Sequence, residues 1–370
     1  MTEFVPAPVA RLPWRMIAVL SFLACFGATV LYSAAGGSFM PWAGPHLIRF
    51  VMLLSMALVL SHFSLEFWKQ ISLPFYAIVF LLLLAVELMG AIGGGSQRWL
   101  NLGVMTLQPS ELMKPAAVLL TAFFFDRLPI GQLRTFDALW PPVLFLALPA
   151  FFVMLQPDLG TALAILFGGV VVMFVAGLPL RLFVGAAGAV AVIAPLAYFF
   201  LLHEYQQKRV TTFLDPEADL LGSGYHITQS KIAIGSGGFF GKGFLQGTQS
   251  HLDYLPEGHT DFVFATMAEE WGMVGGLAVL AAFAMLFSWG LKVGLRARSR
   301  FGKLTAIGLT STIFFYVFIN MMMVMGLAPV VGIPLPFLSH GGSSMLTIML
   351  CVGIIMAIDR HPGHRNGAFA

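Results

Sequence analysis

The chain has 370 residues, of which 58% are hydrophobic and only 10% charged, and its formal net charge is +3. Soluble domains carry about 25% charged residues, so this composition excludes an ordinary soluble enzyme and requires a polytopic membrane protein whose length is spent on spans. No Lys/Arg run is long enough to bind nucleic acid, and Cys25 and Cys351 lie inside apolar runs, where they read as small core hydrophobes.

Arg11 and Arg15 precede an apolar run from Met16 to Ala35. At about 20 residues this run is longer than the apolar stretch of a signal peptide, so it reads as a retained first helix. Further runs of transmembrane length fall near 47–64, 72–92, 112–125, 138–156, 159–179, 182–202, 262–290, 304–326 and 342–358. The expected fold is all-α, with about ten transmembrane helices. Residues 1–370 form one membrane domain, and a long loop, 203–261, separates the seventh and eighth helices. The fourth run is short and begins with Glu111 and Lys114. The fifth carries Pro141, Pro142 and Pro149, which a membrane helix tolerates when neighbours satisfy the freed carbonyls.

Lys and Arg accumulate on the cytoplasmic side of membrane proteins. With the N-terminus inside, 13 of the 20 cations fall on inner segments, and both termini are cytoplasmic. Arg49, Arg98, Lys114, Lys208, Arg209, Lys231 and Lys242 fall at the outer face. The polar, Gly- and Pro-rich stretches gather there too: "GGGSQRWLNLGVMTLQPSELMK", "QPDLG", the 203–261 loop and "PVVGIPLPFLSHGGSS". Loops held on a rigid scaffold commonly carry function.

Within "LPEGHTDFVFATMAEEWG", Asp261 stands at the mouth of the eighth span. It either caps that helix, a role Thr260 could share, or serves as a general base, because partial burial keeps a carboxylate basic. His259, two residues earlier, is a second candidate base or a hydrogen-bonded spectator. Arg209, Lys231 and Lys114 each read singly as interfacial cations; together on one face they suit a polyanion such as a phosphate ester. The glycines of "GSGGFFGKG" let backbone approach a ligand. Glu87, Glu111, Asp158, Glu269 and Glu270 lie in or beside apolar runs, where acids face a partner or a wet cavity. Glu111 and Lys114 share a helix face and can pair. Trp99 either covers a sugar or lipid face or anchors at the interface.

In order along the chain, "QRWLNLG…QPSELMK", "QPDLGTA", "GYHITQSKIAIGSGGFFGKGFLQGTQSHLDYLPEGHTDFVFATMAEEWG" and "GIPLPFLSHGGSS" resemble the signatures of the SEDS family (shape, elongation, division and sporulation). The resemblance spans nearly the whole chain. "QSKIAIGSGG" and the short tails point to the elongation branch rather than the division branch. One departure is visible: the family's last motif ordinarily reads SYGG, and here His340 stands at the tyrosine.

The resemblance implies a peptidoglycan glycosyltransferase of the bacterial inner membrane. Such an enzyme polymerises lipid II into β-1,4 glycan at the periplasmic face, beside a class B penicillin-binding protein. It implies Asp261 as the base of an inverting displacement. Arg209, Lys114 and Lys231 then supply charge for the leaving diphosphate. Its motifs add Ser110, Glu111, Asp158, Glu257, His259, Thr260, Ser339, Gly341 and Gly342 to Trp99 as substrate-binding candidates. A divalent cation, Mg²⁺ or Mn²⁺, could share the diphosphate, and no organic cofactor is expected. Two rival readings stay open. A lipid II transporter would place polar groups at the midplane and on both faces. A non-catalytic scaffold would leave Asp261 without a task.

Overall fold

The computed structural model describes residues 12–89, 91–93, 96–101, 106–133, 135–200, 204–215, 222–252, 254–255 and 257–361. In chain order they form α1 (Trp14–Ala34), α2 (Ala43–Leu60), α3 (Leu65–Met89), β1 (Ala91–Gly93), β2 (Ser96–Asn101), β3 (Thr106–Leu107), α4 (Pro109–Arg127), α5 (Trp140–Leu155), α6 (Leu159–Ala176), α7 (Leu180–Phe200), α8 (Glu204–Leu214), α9 (Ser223–Ser236), α10 (Thr248–His251), α11 (Val263–Arg296), α12 (Arg300–Val324) and α13 (Gly342–Arg360).

Nine helices among the described residues are long and apolar enough to cross a membrane. The tenth expected span is α4, whose Glu111, Lys114, Asp126 and Arg127 make it too charged to qualify by composition. It is nonetheless the helix around which the others assemble, packing against α3, α5, α6, α12 and α13. Glu111 pairs with Lys114 and Asp126 with Lys69 within the protein, while Arg127 ends the helix at its exposed C-terminus. At the other extreme, α7 has no buried residue along its span and touches the core mainly through Phe183, which packs on Phe174.

Apolar surface gains little by leaving lipid for protein, so close packing must come from shape. A Cβ at Gly168 would lie 2.5 Å from Thr312 Oγ1, and one at Gly308 would lie 2.5 Å from Val172 Cγ2. These two glycines let α6 and α12 approach nearly backbone to backbone. Pro141 and Pro142 fall in the first turn of α5, where a missing N–H leaves no helical bond unmade.

Two features modify the expected all-helical picture. β1, β2 and β3 form a small antiparallel ribbon between α3 and α4, with Ala91 opposite Trp99 and Leu100 opposite Leu107. The 203–261 segment is also no bare loop: it contains α8, α9 and α10, with residues 203, 216–221, 253 and 256 outside those described.

Candidate active site

Five helices begin at one end of the bundle, α2 at Ala43, α4 at Pro109, α6 at Leu159, α11 at Val263 and α13 at Gly342. Side-chain bonds and close packing hold their N-termini together. Gln108 Nε2 donates to Asp158 Oδ2 at 3.2 Å, and Asp158 Oδ1 caps α6 by accepting from the Thr161 N–H at 3.1 Å. Gly160 packs against Val331 and Ile333 of the segment that leads to α13. The β-ribbon is fastened to the same place. Arg98, beside the half-buried Trp99, donates to the carbonyls of Gln156 and Pro157 at 2.8 and 2.7 Å. Each helix N-terminus carries about half a positive charge and unpaired N–H groups, so together they favour an anion.

Asp261 lies two residues before α11. The N-cap is Phe262, with no side-chain capping bond, so the carboxylate does not serve as a cap. Its backbone is clamped instead: Asn320 Nδ2 donates to the Asp261 carbonyl at 2.8 Å and to the Ile333 carbonyl at 2.7 Å. Gly332, at φ +70°, passes close to the carboxylate; a Cβ there would sit 3.5 Å from Oδ2. A non-glycine residue would be strained at that φ. Burial, then Glu257, then Asp158 push the Asp261 pKa up to about 7. Each cause penalises the anion, which makes the carboxylate a better proton acceptor at neutral pH.

The flanking residues are ordered around it. Glu257 accepts from the Thr260 hydroxyl, which therefore turns away from α11. The His259 ring stacks on Trp42 with centroids 4.1 Å apart and planes within 6°. Burial lowers the His259 pKa, against an opposing pull from Glu257. The His340 N–H donates to the His259 carbonyl at 3.0 Å. Arg49 Nη1 donates to His340 Nε2 at 3.1 Å, which fixes the neutral ring with its proton on Nδ1. Burial, and then Arg49, hold His340 below its ordinary value. Ser339 Oγ accepts from the Leu335 N–H at 2.8 Å and tightens the turn before Gly341 and Gly342.

Of the three cations expected to act together, Lys114 is engaged inside the protein. Lys114 is only 1% exposed. Its Nζ lies 2.6 Å from Glu111 Oε1 and 2.5 Å from the Tyr316 hydroxyl, which itself donates to Glu111 Oε2. The helix-face pair is present, and it closes a buried triad rather than offering a free charge. Lys231 is exposed on α9 with its stem against Gly326, and no ion pair engages it among the described residues. Arg209 lies on α8, and its side chain is outside those described. Ser110 is buried beside Glu111, and its Oγ has no hydrogen-bond partner among the described residues.

Arg49, Trp42 and Asn320 were not singled out as site residues from sequence. Arg49 carried a readable signal, a charge just inside an apolar run. Trp42 and Asn320 carried none, because single aromatic and amide residues are common near membrane interfaces.

The glycine-rich segment serves the scaffold. α11 breaks at Gly272 (φ 62°, ψ −158°), freeing backbone groups on both sides. The Lys242 and Gly243 N–H groups donate to the Glu269 and Glu270 carbonyls at 2.9 and 3.1 Å. The Met273 and Val274 N–H groups donate to Gly238 and Phe239 at 3.0 and 3.2 Å. The strand-like exchange restores what the break removes, as a membrane interior requires. The Glu269 carboxylate pins the same segment, taking Lys242 Nζ at 2.6 Å and the Thr248 N–H at 2.9 Å. Ser33 and the Gly247 N–H donate to Glu270 Oε1. Glu87, by contrast, is exposed on the outer surface of α3.

Among the described residues no three His, Cys, Asp or Glu side chains converge to hold a metal ion. Glu257 and Asp158 both lie close enough to Asp261 to raise its pKa.

Fold and site together define a polytopic helical membrane protein with a basic carboxylate at one membrane surface, ringed by helix N-termini. The model of the FtsW/RodA/SpoVE family of cell cycle proteins matches residues 12–364, and the chain belongs to that family. It is 44% identical over 352 residues to the peptidoglycan glycosyltransferase MrdB of Escherichia coli K12, covering 94% of this chain and 93% of MrdB. Among solved structures it resembles a chain from work on coordinated polymerisation and crosslinking by a peptidoglycan synthase complex. That match has a TM-score of 0.82 at 30% identity and covers 94% of this chain and 98% of the other. The rod shape-determining protein RodA of Thermus thermophilus gives a TM-score of 0.71 at 28% identity, covering 94% and 97%.

Proposed function

We propose that this integral membrane protein is a peptidoglycan glycosyltransferase of cell elongation, and that Asp261 is its general base. The observation that carries the mechanism is the Asp261 carboxylate. It is partly buried, free of side-chain hydrogen bonds among the described residues, and raised to about 7. In the reaction, Asp261 takes the proton from the acceptor sugar's 4-hydroxyl as that oxygen bonds to the anomeric carbon of the donor. The bond from that carbon to the diphosphate breaks, and its electron pair leaves with the lipid diphosphate. One in-line displacement converts the α-linked donor into a β-1,4 link. The helix N-termini, with Arg49, Lys231 and Arg209, supply positive potential for the departing diphosphate. Lys114 acts at one remove, holding α4 against α12 through Glu111 and Tyr316.

A divalent cation enters this reading only as a companion of the diphosphate, and no protein step runs through it. The substrate is lipid II, and the partner is a class B penicillin-binding protein that crosslinks the new strand. The excess of cations on the inner segments supports a cytoplasmic location for both termini, which puts Asp261 at the periplasmic surface of the inner membrane. The test is purified protein with fluorescent lipid II, resolved on a gel, with and without the partner. A ladder of glycan products is expected. Lipid II movement across vesicles without polymer would replace the polymerase by a transporter.

A further inference from the structure

At the end of the bundle away from Asp261, α3 and α4 enclose a cleft of about 550 Å³. α4 starts beside the candidate active site and ends at Arg127 in this cleft; at 1.5 Å per residue, that is about 27 Å away, near the opposite membrane surface. The cleft is lined by Glu66, Lys69, Gln70, Leu73 and Pro74 of α3 and by Phe123 and Arg127 of α4.

These residues are graded along the helix. Glu66, Lys69 and Gln70 lie at the start of α3, and the exposed Leu73 and Pro74 follow one turn deeper. Charge at the rim and apolar surface below match a lipid head group followed by its chains. The charges are of both signs. Arg127 is exposed and lies over the Phe123 ring, 4.3 Å from its centroid, and no acid pairs with it among the described residues. Lys69 is held at 2.5 Å by Asp126, which also accepts from the Phe301 N–H at 3.0 Å and so stays turned toward α12. Glu66, exposed in the first turn of α3, is the acid that the cleft itself contributes. Pro74 has no N–H to give the carbonyl four residues earlier, so the Gln70 carbonyl is left without its helical donor in the same cleft.

We infer that this cleft binds the head group of a zwitterionic phospholipid bearing a primary ammonium. Arg127, with Lys69 beside it, takes the phosphate. Glu66 and the Gln70 carbonyl accept N–H bonds from the ammonium, while Leu73, Pro74 and Phe123 line the start of the acyl chains. The site is independent of the reaction proposed above. A purely anionic lipid would leave Glu66 unpaired against its head group, and a trimethylated amine would offer no N–H to either acceptor.

The test is native mass spectrometry of the detergent-purified full chain. It is titrated separately with phosphatidylethanolamine, phosphatidylcholine and phosphatidylglycerol carrying identical chains. Phosphatidylethanolamine should be retained roughly tenfold better than either alternative, the discrimination expected of one charge-assisted hydrogen bond. Glu66→Gln should erase that preference, and Arg127→Gln should weaken retention of all three lipids, with melting temperatures unchanged. Equal retention of the three lipids by the parent would overturn the proposal. So would a preference for phosphatidylethanolamine that survives Glu66→Gln.

Discussion

Asn320, one turn before the end of α12, holds the backbone of Asp261 in place: its amide donates at 2.8 Å to the Asp261 carbonyl and at 2.7 Å to that of Ile333. One side chain thus fixes both Asp261, just ahead of α11, and the segment that carries Gly332 past the carboxylate. Asn320→Ala strands two carbonyls, each costing about 1–3 kcal/mol if no water replaces the bond. We expect a lowered melting temperature and a larger loss in polymerisation than the melting shift explains. Asn320→Gln, which keeps the amide on a longer arm, should recover folding before it recovers rate. Lipid II turnover and thermal melting of both variants, measured below the melting range, check this.

Asp261→Asn preserves shape but cannot accept the proton. Loss of a general base costs on the order of 10²–10⁴ in rate. Because α11 has no side-chain cap to lose, the variant should fold at least as well as the parent. A folded Asp261→Asn protein that polymerises at the parental rate would remove the base from the mechanism.

The same carboxylate sets opposite pH trends for rate and stability. Its folded pKa is raised from the ordinary carboxylate range to about 7. The folded state therefore binds the Asp261 proton more tightly than the unfolded chain does. That contribution to stability is complete below the unfolded value and is lost as pH rises through about 7. Rate requires the ionised form, so kcat/KM should climb over the same window while stability declines. In Asp261→Asn the stability slope across that window should flatten. A parental rate that is level through neutrality would contradict the assignment.

The Lys114–Glu111–Tyr316 triad calls for a paired test. Lys114→Met alone leaves the Glu111 carboxylate buried without its cation, at a cost of about 3–5 kcal/mol. Adding Glu111→Gln removes the stranded charge and keeps an acceptor for the Tyr316 hydroxyl. The double variant should regain most of the lost melting temperature and with it measurable polymerisation. A double variant that is fully folded but inert would give Lys114 a direct chemical role.

Gly241→Ala and Gly235→Ala probe the staple at the broken helix. A Cβ at Gly241 would fall 2.0 Å from the Glu270 carbonyl oxygen, whereas one at Gly235 meets open space. The first should destabilise by about 1–3 kcal/mol or more, as overpacking does. The second, inside α9, should be neutral or slightly stabilising. Melting curves of the two variants under one condition distinguish them.

The sequence alone determined what local chemistry determines. Ten helices were legible because apolar runs of membrane length have few other uses. Even α4 was found, since its charges interrupt an otherwise apolar stretch. Asp261 was legible because a carboxylate at the edge of such a run needs a reason, and the Glu111–Lys114 pair because three residues bring side chains onto one helix face. Tertiary structure decided everything that depends on which helix lies beside which. Only packing put Tyr316 against both Glu111 and Lys114, some 200 residues away in sequence, so that the cation expected to face a phosphate lies in a buried triad. Only packing brought Asn320 and Gly332 to Asp261, and Arg49 to His340. The glycines expected to let backbone approach a ligand instead bring backbone against α11. Sequence could not say that the approaching partner is α11 itself, because a break at Gly272 exposes its demand for hydrogen bonds only once the helix sits in a medium without water.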